Sequence, residues 1–249
     1  MKKLIAIGGG EIGRPGYPVE TTKIDKEIIK LTNKPNPKLL FIPTASSDSE
    51  LYFETVKKHF GKKLNCKIDV LCLLKEKLTL KQIKTKILAS DIIYVGGGNT
   101  ALMLKTWKKF GVDKILLQAY NKGIVISGLS AGSICWFKYG ISDSKKFNNP
   151  KASLGKISGL NFINALNCSH CNVEKDRKPQ LKAMMKKEKG IALAFDNCSA
   201  IEVIDNTYRI ITSKPTANAY KVYWKDNKFY EEKIEKTKTF KSINKLLKK

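Results

Sequence analysis

A chain of 249 residues, 42% of them hydrophobic, is long enough to bury a sizeable core, and it has no run of eighteen apolar residues that would span a bilayer. The formal net charge is +25, which raises nucleic acid as a partner, yet only Arg14, Arg177 and Arg209 among the 47 cations are arginine. Proteins that read bases and phosphates lean on arginine's planar fork, so scattered lysine indicates solvated faces, and no specific nucleic-acid partner and no membrane partner are expected.

The opening segment, MKKLIAIGGGEIG, starts basic, but its apolar run is only Leu4–Ile7 before glycines intervene. It reads as a first β-strand entering a turn and not as a secretion leader. In chain order, strands are expected at Lys3–Gly8, Lys38–Thr44, Cys66–Leu73, Asp91–Gly97 and Gly123–Gly128. Amphipathic helices are expected between them, at Lys23–Leu31, Glu50–His59, Leu80–Leu88, Thr100–Lys108 and Val112–Asn121. Continuous apolar strands alternating with helices predict parallel βαβ units, and hence an α/β fold whose mainly parallel sheet is sandwiched by helices. After about Gly190 the pattern changes to GIALAF, SAIEVI, TYRIITS and AYKVYWKDNKFYEEKI, short strands with turn signals between them. These predict antiparallel C-terminal strands extending the same sheet, and the closing SINKLLKK a short helix or a frayed tail. No linker or repeat divides the chain, so residues 1–249 read as a single domain.

Six cysteines, Cys66, Cys72, Cys135, Cys168, Cys171 and Cys198, lack the spacing of a disulfide framework, which implies reduced thiols and a cytoplasmic protein. Cys168 and Cys171 form a lone C-x-x-C around His170, but no second ligand pair accompanies them, so no metal is expected.

The segment VISGLSAGSICWF places Ser130 between Gly128 and Gly132, where a buried strand meets a helix. G-x-S-x-G at such a junction is the nucleophile-elbow pattern: flanking glycines avoid Cβ clashes, and the hydroxyl stands above the carboxyl edge of the sheet. There the N–H of Ala131 can donate to an oxyanion. An N-cap serine between ordinary glycines would look the same in isolation. Ser133, one turn into the helix, and Ser127, within the strand, are lesser candidates.

A serine nucleophile needs a base, and the chain has two histidines. His59 ends an amphipathic helix and reads as structural. His170 lies in a polar loop after a short apolar segment, where α/β enzymes place catalytic groups. A second glycine cluster, YVGGGNT, follows a strand and opens a helix without the pattern of a nucleotide-binding loop. Gly97 or Gly98 suits a second oxyanion donor. In a parallel sheet these loops share one edge, so elbow and glycine loops converge.

Taken together, GGG after the first strand, IPTAS, YVGGGNT, GLSAGSICWF, SH with a downstream arginine, and AFDNCSAIEV resemble the peptidase E family of serine peptidases, which includes cyanophycinase. The resemblance runs from Lys3 to about Tyr223 and implies a class I glutamine amidotransferase-like fold. It implies hydrolysis of small peptides, with N-terminal aspartyl dipeptides preferred by its best-known members, and no cofactor. Carried onto this chain, it makes Ser130 the nucleophile and His170 the base, with Gly97, Gly98 and Ala131 as the oxyanion hole. Asn99 and Arg177 become the substrate-binding residues. The acid that orients His170 stays open between Asp143, after the nucleophile helix, and Asp196. At Asp196 this chain has Asp-Asn where the cyanophycinase branch has Asp followed by an acid. Glu174 and Asp176 lie close to His170 in sequence but would have to fold back. A small peptide is the expected partner, and a homodimer is compatible with the reading. A peptidase-like binding module without catalysis is the alternative.

Overall fold

The computed structural model describes residues 1–249. Five parallel strands carry the first half of the chain: β1 (Lys3–Ile7), β2 (Lys38–Ile42), β3 (Lys67–Val70), β4 (Ile92–Val95) and β5 (Val125–Leu129). They alternate with α1 (Thr22–Lys30), α2 (Glu50–Val56), α3 (Leu80–Leu88), α4 (Thr100–Phe110) and α5 (Val112–Asn121), within a few residues of the expected spans. Local chemistry sets several ends. Ser49 caps α2, Thr79 and Gln82 form a capping box on α3, and Gly111 at φ +67° breaks the path between α4 and α5. The helix that begins as α2 continues as a π-helical segment, Lys57–Lys63.

The remaining elements are α6 (Ala131–Ile134), β6 (Phe137–Ser142), β7 (Gly155–Ser158), β8 (Ile163–Cys168), α7 (Arg177–Lys187), β9 (Ala192–Phe195), β10 (Ser199–Ile204), β11 (Thr207–Thr212), β12 (Ala219–Lys225), β13 (Lys228–Lys233), β14 (Lys241–Ser242) and α8 (Ile243–Leu246). They join two sheets. The main sheet has the order β14-β11-β10-β1-β5-β4-β2-β3, parallel from β1 to β3 and antiparallel from β1 outward through β10 and β11. The second has the order β13-β12-β9-β8-β6-β7. The expectation that every late strand extends one sheet is therefore corrected: β10, β11 and β14 do, while β9 pairs with β8 and carries β12 and β13 into the second sheet.

Strand alternation sorts the core. Ile5, Ile7, Leu39 and Phe41 face α1 and the α2 helix through Ile24, Ile28, Val56 and Phe60. Leu4, Ala6, Leu40 and Ile42 face the other way, toward α3–α5 and the inner face of the second sheet through Met103, Trp107, Phe137 and Phe195. α7 covers the second sheet's far face with Leu181 and Met185. No helix is long and apolar enough to cross a membrane.

Candidate active site

β5 ends at Leu129 and α6 begins at Ala131, so one residue makes the turn. That residue, Ser130, sits at φ +57° and ψ −110°, a conformation that costs a non-glycine residue about 1–3 kcal/mol and persists only when its surroundings impose it. The surroundings are crowded backbone. A Cβ on Gly128 would meet the carbonyls of Gly132 and Val95, and one on Gly132 would meet the Val95 carbonyl. The Ser130 N–H is tied to the Ile7 carbonyl at 3.1 Å, leaving Oγ to point away from the sheet.

His170 follows β8 at φ +60°. Its backbone N–H donates to the Gly8 carbonyl, and the Cys198 N–H donates to the Gly9 carbonyl. The glycine loop after β1 thus clamps the loops after β8 and β9 side by side. Gly9 leaves room for what results: a Cβ there would overlap both Asn197 Oδ1 and His170 Nδ1.

The imidazole bridges two partners. Nε2 lies 2.7 Å from Ser130 Oγ, and Nδ1 lies 2.7 Å from Asn197 Oδ1. The Asn197 carbonyl oxygen is an acceptor only, so Nδ1 carries the proton and donates it, and the Nε2 lone pair is left to accept from Ser130. Burial, followed by the positive charge of Arg177, holds the His170 imidazolium below the ordinary histidine pKa. The ring is therefore a neutral base across the physiological range.

Neither aspartate foreseen for the third position reaches this ring. Asp196 Oδ2 instead accepts from the Asn218 N–H at 2.9 Å, and burial raises its pKa. β9 ends at Phe195, and Asp196–Ser199 closes a turn in which the Ser199 N–H donates to the Asp196 carbonyl; Asn197, at the second position of that turn, is the side chain that reaches His170. Asp143 flanks a short 3₁₀ turn at Ser144–Phe147 and acts on the ring only through space. Glu174 is engaged with Arg177, and Asp176 lies 4.0 Å from Lys146. The Asp-Asn pair was the visible signal for Asn197, but an amide in the place of an acid concealed it.

The expected substrate contacts are also displaced. Arg177 is 2% exposed, with Nε 2.7 Å from Glu174 and Nη1 3.1 Å from the Ile141 carbonyl. It braces the start of α7 and does not line the cleft. Asn99 caps α4, its Oδ1 accepting from the Leu102 N–H. Of the glycine loop, Gly97 stands nearest the serine, its side facing Ser130 Cβ, and its N–H donates to Tyr52 Oη at 3.2 Å. The Gly98 N–H has no partner within the protein. Tyr52, from α2, carried no motif that would single it out; burial pushes its phenol up to about 12. Ser127 lies buried within β5, and Ser133 accepts from Asn167 Nδ2 in the core. His59 is buried, pairing through Nε2 with Asp25 Oδ2 at 2.7 Å, so it holds α2 to α1. The six thiols are free, and no group of three or more metal-ligating side chains occurs.

A cleft of about 600 Å³ opens over Ser130 and His170. The Glu11–Tyr17 loop, Tyr52 and Leu51 wall it. Its cation is Arg14. Glu11 Oε1 accepts the N–H groups of Ile12, Gly13 and Arg14, and Glu11 Oε2 holds Arg14 Nε at 2.6 Å, leaving the outer guanidinium nitrogens free.

Three comparisons agree with this architecture. The family model described as Peptidase family S51 matches residues 4–211. The chain is 33% identical over 235 residues to a Bacillus subtilis protein named "Uncharacterized peptidase YgaJ", covering 93% of this chain and 96% of that one. It is 39% identical over 99 residues to "Uncharacterized peptidase Lmo0363" of Listeria monocytogenes, covering 38% and 45% of the two chains. Its fold matches the crystal structure of a peptidase from an acI-B1 Actinobacterium with a TM-score of 0.73 at 16% identity, over 97% of each chain. It also matches that of a putative peptidase E protein from Listeria monocytogenes, with a TM-score of 0.62 at 22% identity, over 85% of this chain and 98% of that one. The chain belongs to peptidase family S51 and is a serine peptidase.

Proposed function

We propose that this peptidase cleaves small peptides, dipeptides foremost, with Ser130 as nucleophile, His170 as general base and Asn197 as the residue that orients the imidazole. The observation that carries the reading is the unbroken chain Ser130 Oγ–His170 Nε2–Asn197 Oδ1, both links at 2.7 Å. As Oγ bonds to the scissile carbonyl carbon, Nε2 takes its proton and the carbonyl π pair moves onto oxygen. The N–H of Ala131, at the mouth of α6, and the free N–H of Gly98 receive that oxyanion; the Gly97 N–H joins them when the Tyr52 hydroxyl turns aside. When the oxyanion collapses, the C–N bond breaks and the imidazolium returns its proton to the leaving amine. Water, deprotonated by the same ring, then hydrolyses the acyl-serine.

A preference for N-terminal Asp-Xaa rests on Arg14, whose free guanidinium edge lines the cleft. The turn after β5 of a parallel sheet supports the class I glutamine amidotransferase-like designation. The core shared by both sheets supports one domain, and the six free thiols support a cytoplasmic setting. The test is labelling by a fluorophosphonate together with a dipeptide-library screen. Ser130→Ala and His170→Ala should each remove nearly all turnover with the fold intact, because such residues act as a unit. Undiminished hydrolysis by Ser130→Ala would overturn the mechanism.

A further inference from the structure

We propose that the Ser130 cleft continues into a cationic groove that binds the carboxylates of acidic peptide residues lying beyond the scissile dipeptide; this rests on the reading of Ser130 above. A second cleft, of about 520 Å³, shares six wall residues with the first: Ile12, Arg14, Pro15, Tyr17, Leu51 and Thr55. The two are stretches of one groove, passing from the serine over Arg14 and onto the end of the α2 helix. Its far wall is Lys57, Lys58, Lys62 and Lys63.

The charges there do not cancel. Arg14 is matched by Glu11 and Lys57 by Glu54, but Lys58, Lys62 and Lys63 have no ion-pair partner. Glu54 is the one carboxylate in the second cleft. Lysines line other concavities, Lys108, Lys109 and Lys114 among them, but the three unpaired ones here stand in a concavity that opens into the cleft over Ser130. The local helix geometry favours this placement. Lys57–Lys63 is π-helical, and its wider turn brings residues five apart nearer to one face than an α-helix would, Lys57 with Lys62 and Lys58 with Lys63. Such wide turns recur at functional sites. The rim supplies apolar contact for a peptide backbone: Leu51 is 76% exposed and Tyr17 59%. An extended chain bearing spaced carboxylates matches this layout, and mutual repulsion among the lysines falls when it binds.

The test uses the Ser130→Ala protein and fluorescein-labelled Ala-Ala-Glu-Glu-Glu and Glu-Glu-Glu-Ala-Ala, each against its glutamine counterpart. By anisotropy, one of the acidic orders should bind at least about tenfold tighter than its counterpart at low ionic strength, and the ratio should approach parity at about 0.5 M salt. Lys58→Gln/Lys62→Gln/Lys63→Gln in the same background should abolish the ratio with an unchanged thermal melt. Lys225→Gln/Lys228→Gln/Lys233→Gln, which removes equal charge from another face, should leave it. Equal binding of acidic and neutral peptides in both orders, or equal loss from either triple variant, would overturn the groove. Failure of the Ser130 reading shows separately, as a wild-type protein that takes no fluorophosphonate and cleaves no peptide while the binding ratio still judges the groove.

Discussion

Asn197 offers the sharpest test of the site, because removing it perturbs the base without touching the nucleophile. In Asn197→Ala the Nδ1–H of His170 loses its acceptor, 2.7 Å away in the wild type. The bond is worth most when the ring is positively charged, which happens as the tetrahedral intermediate forms. A hydrogen bond to a charged group contributes about 1.5–3 kcal/mol net. At about 1.4 kcal/mol per decade, kcat should fall by roughly 10- to 150-fold with KM little changed. Asn197→Asp puts a carboxylate in the same place and should raise the His170 pKa by about 1–3 pH units. The direction on activity follows from the base having to be neutral. Burial, then Arg177, places the wild-type pKa below the ordinary 6.5, so wild-type kcat/KM should hold to below that pH and fall only under it. The aspartate variant should lose activity at a higher pH on the acid side, yet equal or exceed the wild type in alkaline buffer, where its imidazolium is better stabilised. Initial rates on the best dipeptide across about pH 5–9, with melts to confirm folding, decide it. A loss below about threefold in the alanine variant, or an acid limb unmoved in the aspartate variant, would refute the assignment of Asn197.

Gly9→Ala should cost about a hundredfold or more in kcat/KM while the protein still folds, since the added methyl displaces both Asn197 and His170; near-normal rates would sink the clamp described for this loop. Arg177→Ala should lower unfolding stability by about 2–4 kcal/mol in urea titrations, because a buried, hydrogen-bonded guanidinium is lost. It should also shift the acid limb of kcat/KM upward, without a selective rise in KM for acidic substrates. Arg209→Ala should destabilise by about 3–5 kcal/mol, leaving Glu202, 1% exposed, without its partner at 2.6 Å; a change under 1 kcal/mol by the same titration would contradict this. Ellman's reagent should titrate Cys72 first and the other five thiols only on unfolding, since those five are buried.

The first half of the fold was legible because β1, β2 and β4 are buried on both faces and therefore read as apolar runs, such as LIAI and IIYV, each followed by an amphipathic helix. Ser130 was legible for a related reason: the turn is local, and the crowding that demands glycine at 128 and 132 arises within a few residues of the serine and from β4 beside it. His170 could be named because only two histidines exist and the other lies in an amphipathic helical segment.

The rest depended on which segments meet. β9 and β10 are close in sequence, and both are short and apolar, yet one pairs with β8 in the second sheet and the other with β1 in the main sheet. Their own residues do not encode that choice; long-range pairing energy decides it. The step from Asp196 to Asn197 is the same problem on the scale of one residue. Charge favours the aspartate as partner to a histidine, but the turn that follows β9 leaves Asp196 bonded to Asn218 and presents the amide of Asn197 to the ring. Arg177 looked like a free cation because the sequence does not show that Glu174 and the Ile141 carbonyl enclose it. Local backbone chemistry thus settled where the nucleophile stands. Its base partner and the cations that face its cleft were decided by the packing of β1, β8 and β9 ends and of the α2 helix, because hydrogen bonds and burial act between groups that only the folded chain brings together.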